Sequence, residues 1–203
     1  MKTIKLGLFT LLVGITSVVT AQKITILDGS LNSLKGQKII NVEYDWTNSK
    51  VGKFANEQEY IDKKTKEYNE KEAGKGTKWA ESWKGDKTGR FEPEFEKLFN
   101  KYTGKTGLYL GNEKTGKYTA IVKTTFIEPG FNIYVTKKPA SVDLTIKIVE
   151  TDNPDKVICT IVSKGNLGRS FGMNDYDTGL RISESYALAG KKLGAYIAKA
   201  IGK

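Results

Sequence analysis

The chain is 203 residues long and carries 33 Lys and Arg against 23 Asp and Glu, a formal charge of +10, with no histidine and one cysteine, Cys159. Without histidine the commonest general base and metal ligand is missing, and with it every Ser-His-Asp or Cys-His arrangement. A single cysteine cannot close an internal disulfide, and a zinc site would need carboxylates alone.

The first 21 residues read as an export signal. Lys2 and Lys5 precede an apolar run from Leu6 to Val19, and Val19-Thr20-Ala21 presents residues a signal peptidase accepts, placing the cut between Ala21 and Gln22. A retained anchor is the competing reading, but the run is short for a span of about 20 residues, and no second hydrophobic segment follows. Removing 21 of the 203 residues, two lysines among them, leaves 182 residues with a charge of +8, expected to form one domain over residues 22–203. Cys159 is far from the cut, so this is not a lipoprotein signal. It lies in an apolar run, where a thiol acts as a small hydrophobe. Export without disulfides fits a periplasmic or secreted protein of a bacterium.

In chain order, residues 23 to 28 predict a short strand and residues 29 to 36 a turn or one helical turn. Ile40, Val42, Tyr44 and Trp46 alternate with Asn41, Glu43 and Asp45 as a clear second strand. The polar segment from Asn56 to Lys71 spaces Tyr60, Ile61 and Tyr68 for a surface helix with one edge on the sheet. Trp79 and Trp83 stand at i, i+4 in a glycine-rich, basic segment, where they either stack on sugars or cations or close the core under a loop. Phe91, Phe95, Leu98, Phe99 and Tyr102 mark a firmer helix, with Pro93 in its first turn and Glu92, Glu94 and Glu96 near its positive end.

Residues 118 to 163 predict four strands without an intervening helix. Tyr118, Ala120, Val122, Thr124 and Phe126 share one face; Glu128-Pro129-Gly130 turns the chain, and Phe131, Ile133 and Val135 return it. Lys137-Lys138-Pro139 interrupts, because proline cannot donate to a ladder. Val142, Leu144, Ile146 and Ile148 form the next apolar face. After the turn cluster 151–155, the run 157–162 is apolar on both faces except Thr160, which places it centrally. The last helix, about residues 180 to 201, carries a continuous stripe of Ile182, Tyr186, Ala189, Leu193, Ile197, Ala200 and Ile201. Beside it, Gly190 and Gly194 would let the backbone approach the sheet. The expected fold is α+β: an antiparallel or mixed sheet of about six strands, helices packed on one face, closed by a C-terminal amphipathic helix.

Motifs for chemistry fall short. Lys-Thr-Gly occurs at 87–89, 105–107 and 114–116, but no Ser-x-x-Lys accompanies it, so the triplets read as turns. Gly111, Gly116 and Lys117 match a phosphate loop until Tyr118 replaces its hydroxyl residue, and the motif leads into a strand rather than a helix. Asn174, Asp175 and Asp177 with Gly179 fit no EF-hand frame. Asp177 or Thr178 caps the last helix instead. No catalytic, cofactor-binding or metal-binding residue is assigned and no cofactor is expected; acid/base work by paired carboxylates is the one catalytic option left. The charge would suit nucleic acid, which export argues against, so anionic envelope material is the better counterpart.

The strand ending Asn41-Val42-Glu43-Tyr44-Asp45, the helices after it, the strands at 118–126, 142–150 and 157, and the Tyr-containing terminal helix together resemble a group of bacterial envelope modules. The group includes the amino-terminal domain of the Tol-system propeller protein and the outer-membrane lipoprotein activator of a peptidoglycan synthase, and the chain also looks like secreted proteins of Bacteroidetes. The resemblance covers residues 37 to 201 as an order of elements and implies a non-enzymatic protein-binding module. The expected function is therefore an exported binding module of the cell envelope. A carbohydrate- or peptidoglycan-directed binder or hydrolase, and a peripheral binder of anionic membrane, stand as alternatives. The partner is an envelope protein or anionic envelope glycan, with Trp79, Trp83, Arg169, Phe171, Asp175, Tyr176 and Asp177 as the candidate surface.

Overall fold

The computed structural model describes residues 23–133, 136–168 and 177–202. The chain runs through β1 (Lys23–Gly29), a 3-10 turn (Leu31–Leu34), β2 (Ile39–Asp45), β3 (Lys50–Val51), α1 (Glu57–Asn69) and α2 (Lys75–Asp86). A π-helical turn (Lys87–Phe91) leads into α3 (Glu92–Thr103). There follow β4 (Tyr109–Gly111), β5 (Tyr118–Glu128), β6 (Phe131–Asn132), β7 (Lys137–Lys138), β8 (Ser141–Glu150), β9 (Asn153–Leu167) and α4 (Thr178–Ile201). The export segment lies outside the described residues.

Among the described residues seven strands form one mixed sheet in the order β1-β9-β8-β5-β2-β4, with β3 pairing β5 beyond β2. β1, β9, β8 and β5 are antiparallel, whereas β2, β3 and β4 join in parallel. Parallel neighbours need a crossover, which α1, α2 and α3 supply between β3 and β4. The expected α+β class, with helices on one face of the sheet, is what the chain adopts.

One face of the sheet carries the core. Ile40, Ala120, Val122, Ile146 and Ile148 from the strands meet Phe95 and Phe99 of α3 and Leu193 and Ile197 of α4 around a residual void of about 10 Å³, too little for anything but close packing. Side chains of this kind contribute about 1.5–3 kcal/mol each when fully buried. The stripes read from the sequence hold: Phe91, Phe95 and Phe99 on one helix and Ile182, Tyr186, Ala189, Leu193 and Ile197 on the other are all buried. Caps fix the helix starts, Asn56 Oδ1 accepting from Glu59 N–H at 3.0 Å and Asp177 Oδ1 from Leu180 N–H at 3.2 Å.

Several expectations need correction. Residues 131 to 133 do not return alongside β5. Phe131 and Asn132 pair only with Lys137 and Lys138 in a separate two-stranded ribbon, Val135 lies outside the described residues, and β8 is the true neighbour of β5. The ribbon closes early because Gly130, at φ +64°, brings the chain against the Pro139–Ala140 backbone at its neck. Phe126 does not hold the core face either. A bulge between Thr124 and Phe126 shifts the parity of β5, so Ile127 is fully buried instead.

β9 is interior, between β8 and β1, but its two faces are covered unequally: Cys159, Ile161 and Ser163 are buried, Ile158, Thr160 and Val162 on the other face are half-buried, and Val157 at its start is exposed. The helix α1 packs mainly on α2 and touches the sheet only at the short strand β3, with Tyr60 and Ile61 buried. Gly190 and Gly194 face α3, not the sheet. A Cβ on Gly190 would collide with the Phe95 carbonyl, and one on Gly194 would lie 2.6 Å from the Phe99 carbonyl oxygen. The Lys-Thr-Gly triplet at 87–89 belongs to the π-helical turn, not to a reverse turn.

Candidate functional site

The parallel strand β4 covers β2 only from Ile39 to Asn41. Beyond that point the outer edge of β2 has no strand beside it among the described residues. The ladder to β4 starts with Tyr109 N–H donating to the Lys38 carbonyl at 3.0 Å. The two-residue alternation of a strand then turns the Val42 carbonyl and both backbone groups of Tyr44 toward the open side. They face a trough of about 560 Å³ lined by Val42, Glu43, Tyr44, Trp46, Lys84, Lys87, Thr88, Glu92 and Asn112.

The far wall of this trough is the π-helical turn, a form that is rare and frequent at functional sites. It lets Lys87 reach Glu57 Oε2 at 2.7 Å and set its ammonium over the Trp46 ring at 4.9 Å. Opposite it, the aromatic side chains of β2 meet two carboxylates of α3. Tyr44 donates its hydroxyl to Glu96 Oε1 at 3.1 Å, and Trp46 donates Nε1–H to Glu92 Oε1 at 3.2 Å. Burial raises Glu96 above the usual carboxylate range against the Tyr44 bond, with Glu113 adding like charge. Burial likewise raises Glu92, the Trp46 bond opposing it and the charge of Glu96 adding to it. Burial and the Glu96 charge also raise the Tyr44 phenol, which stays a donor. At the end of β2, Asp45 is the reverse case. Burial alone would raise it, but hydrogen bonds from Lys123 and Thr47 hold it at about 2.

A second concavity, of about 250 Å³, shares Val42, Glu43 and Asn112 with the trough and continues over the sheet at Thr119, Ile121, Val149 and Thr151. Its base is set by Asn41. The Asn41 amide nitrogen donates to the Gly116 carbonyl and the Thr151 hydroxyl, both at 3.0 Å, and its oxygen accepts from Gly116 N–H at 2.9 Å. One buried amide thus ties the β4–β5 loop to the β8–β9 turn and shapes the groove between them.

The residues singled out from the sequence are not gathered here. Trp83 is 2% exposed and donates Nε1–H to Glu57 Oε1 at 2.7 Å. Trp79 is half-buried among the rings of Tyr60, Tyr68 and Trp83, with centroids 5.6–5.7 Å away. The pair joins α1 to α2 instead of offering an indole face to solvent. Asp177 caps α4 and accepts from Arg90 at 2.7 Å. Arg169, Phe171, Asp175 and Tyr176 lie outside the described residues. Sequence reasoning missed Glu92 and Glu96 as partners of β2 because three glutamates near a helix start read as dipole compensation. The i, i+4 spacing of these two beside the phenylalanine stripe was the available signal.

Among the described residues no group of His, Cys, Asp and Glu could hold a metal ion, and no helix is long and apolar enough to cross a membrane. The GxxxxGK stretch ends at Lys117 directly before β5, so it opens a strand.

No protein-family model matches the chain, and no curated protein matches it. Among solved structures it is similar to the PelC dodecamer from Paraburkholderia phytofirmans, at 12% identity over 87% of this chain and 96% of that one, with a TM-score of 0.39. A single-substitution variant of that protein gives 10% identity, 89% and 97% coverage and a TM-score of 0.36. Likeness at this level decides nothing about function.

Proposed function

We propose that the protein is an exported binding module of the bacterial cell envelope, without covalent chemistry of its own, that takes an extended segment of a partner protein along β2. The observation carrying this reading is the outer edge of β2 from Val42 to Asp45, which has no strand beside it among the described residues and opens into the trough. An unpaired edge is a template for strand addition, in which main-chain hydrogen bonds supply affinity and flanking pockets supply selectivity. The aromatic residues favour a peptide over a glycan, since Trp46 has Lys87 over its ring and Trp79 is enclosed by three other rings. Neither is a bare stacking platform.

A second reading, a carboxylate-based glycan hydrolase, is favoured by one feature, the raised pKa values of Glu92 and Glu96 beside the trough. Photo-crosslinking in cells separates the two. With a photoreactive residue at Glu43 or Asn112, an adduct to one envelope protein is expected, and none from a control position at Glu184 on the exposed side of α4. Crosslinks from neither trough position, together with glycan turnover lost in Glu92→Gln, would replace the binding module with the hydrolase.

A further inference from the structure

The two ends of the trough differ. β4 pairs with β2 as far as Asn41 and Gly111, and the chain then crosses over β2, where Gly116 is tied to the Asn41 amide, to enter β5 on the other side. Asn112 lines the trough at this crossing. A strand laid on the outer edge of β2 therefore has to start or stop level with Glu43, because the place opposite Val42 is where the chain of β4 turns away.

The main-chain groups of β2 favour one kind of end. In a parallel ladder that begins with Tyr109 N–H on the Lys38 carbonyl, alternation gives the Val42 N–H to the Gly111 carbonyl. What Val42 leaves vacant at the stop is its own carbonyl, an acceptor. An incoming amino terminus donates to it, whereas an incoming carboxylate sets oxygen against oxygen.

The side chains grade in the same sense. Because α3 runs back along β2, Trp46 meets Glu92, Tyr44 meets Glu96, and Leu110 of β4 meets Asn100. Lys87 lies over Trp46, and Lys84 precedes it by three residues on the same wall, so the lysines of the trough belong to its Trp46 end. Glu43 and Glu113 stand at the Val42 end, exposed and in no ion pair among the described residues. Glu113 lies over Gly111, near enough to Glu96 to add like charge to it. Lys114 is the opposing cation at this end, and it lines only the second concavity.

We infer that the partner enters this trough by its free amino terminus, running parallel to β2, with the terminal ammonium donating to the Val42 carbonyl and paired with Glu43. The inference rests on the reading of the β2 edge as the docking site and adds which end of the partner it takes. In that register the first residue also accepts from the Tyr44 N–H, and the third donates to the Tyr44 carbonyl. The first side chain shares the face of Glu43, over Ile121 and Val149 of the second concavity. An exported protein gains a new amino terminus when its leader is cut.

The experiment starts from cells making the whole chain with a photoreactive residue at Asn112. Mass spectrometry of the digested adduct is expected to place the crosslink in the first few residues of the mature partner. A crosslink to an internal or carboxy-terminal segment overturns the inference and leaves the trough reading standing, whereas no adduct from either trough position removes both. A synthetic peptide of about ten residues copying that amino terminus, titrated against the purified protein, then reads the end group directly. The free amine is expected to bind about tenfold more tightly than its acetylated form, the scale of one charge-assisted hydrogen bond. Glu43→Gln should weaken the free peptide and abolish most of that difference, with an unchanged thermal transition showing that the variant is folded. Equal affinity of the free and acetylated peptides overturns the proposal, and full discrimination by Glu43→Gln overturns the pairing with Glu43.

Discussion

Glu96 is the residue whose chemistry the surroundings change most consequentially. It is held between the Tyr44 hydroxyl and the like charge of Glu113, and burial pushes its pKa up in the folded chain. An acid with a raised folded pKa contributes stability that is fully present below its unfolded value, about 4.3, and is lost as pH rises through the folded value. Glu96→Gln imitates the protonated form and still offers Tyr44 an acceptor. Urea titration is therefore expected to show the variant more stable than the parent by up to about 1 kcal/mol at pH 7 and equal to it below about pH 4. A constant difference at both pH values would mean the effect is packing, not charge. Asp45 has the opposite sign. Its pair with Lys123 helps above the unfolded carboxylate pKa and fades as pH falls through about 2, but as an exposed pair it contributes under about 1 kcal/mol.

At the scale of elements, two glycines in helices should respond oppositely to the same substitution. Gly190 of α4 lies against the backbone of α3 at Phe95, so Gly190→Ala forces the two helices apart and is expected to cost about 1–3 kcal/mol. Gly85 of α2 has nothing within 4 Å of an added Cβ. Gly85→Ala should therefore stabilise by about 0.4–1 kcal/mol through the unfolded chain and helix propensity. Thermal unfolding of both variants checks the pair. From the sequence, the two glycines of α4 promised a close approach, and that was right; the surface approached was α3 because a helix four-residue repeat meets another helix's ridge as readily as a sheet. The strands were legible where alternation was uninterrupted, as in β8. They failed at Phe126, where one bulged residue reverses which side chains face the core.

The whole molecule divides into a sheet with α3 and α4 on one face and a lighter pair, α1 and α2, held by Tyr60, Tyr68, Trp79 and Trp83 together with the Glu57 links to Trp83 and Lys87. Trp83 is the deepest of these. Trp83→Leu is expected to raise amide hydrogen exchange in α1 by about tenfold or more while exchange in β8 changes little, the behaviour of a unit that opens before the sheet does. Equal acceleration in α1 and β8 would show one cooperative unit instead. The same division bears on function, because the trough lies where the π-helical turn passes from the lighter pair to α3. Loosening α1 and α2 would move Lys87 away from Trp46 and alter one wall of the trough.

The sequence by itself determined the class of fold, the stripes of α3 and α4, the strand character of β2, β5, β8 and β9, and the lack of histidine chemistry. All of these follow from local periodicity or from composition, which need no knowledge of distant residues. Only the tertiary structure decided that β2 is half-covered by β4, that Glu92 and Glu96 meet Tyr44 and Trp46, that Trp83 is interior, and that Phe131 and Asn132 pair with Lys137 and Lys138 apart from the sheet. The physical reason is that strand order and edge exposure depend on pairings between segments tens of residues apart, whose hydrogen bonds are the same for any side chains, so an edge leaves no periodic mark on the strand that forms it.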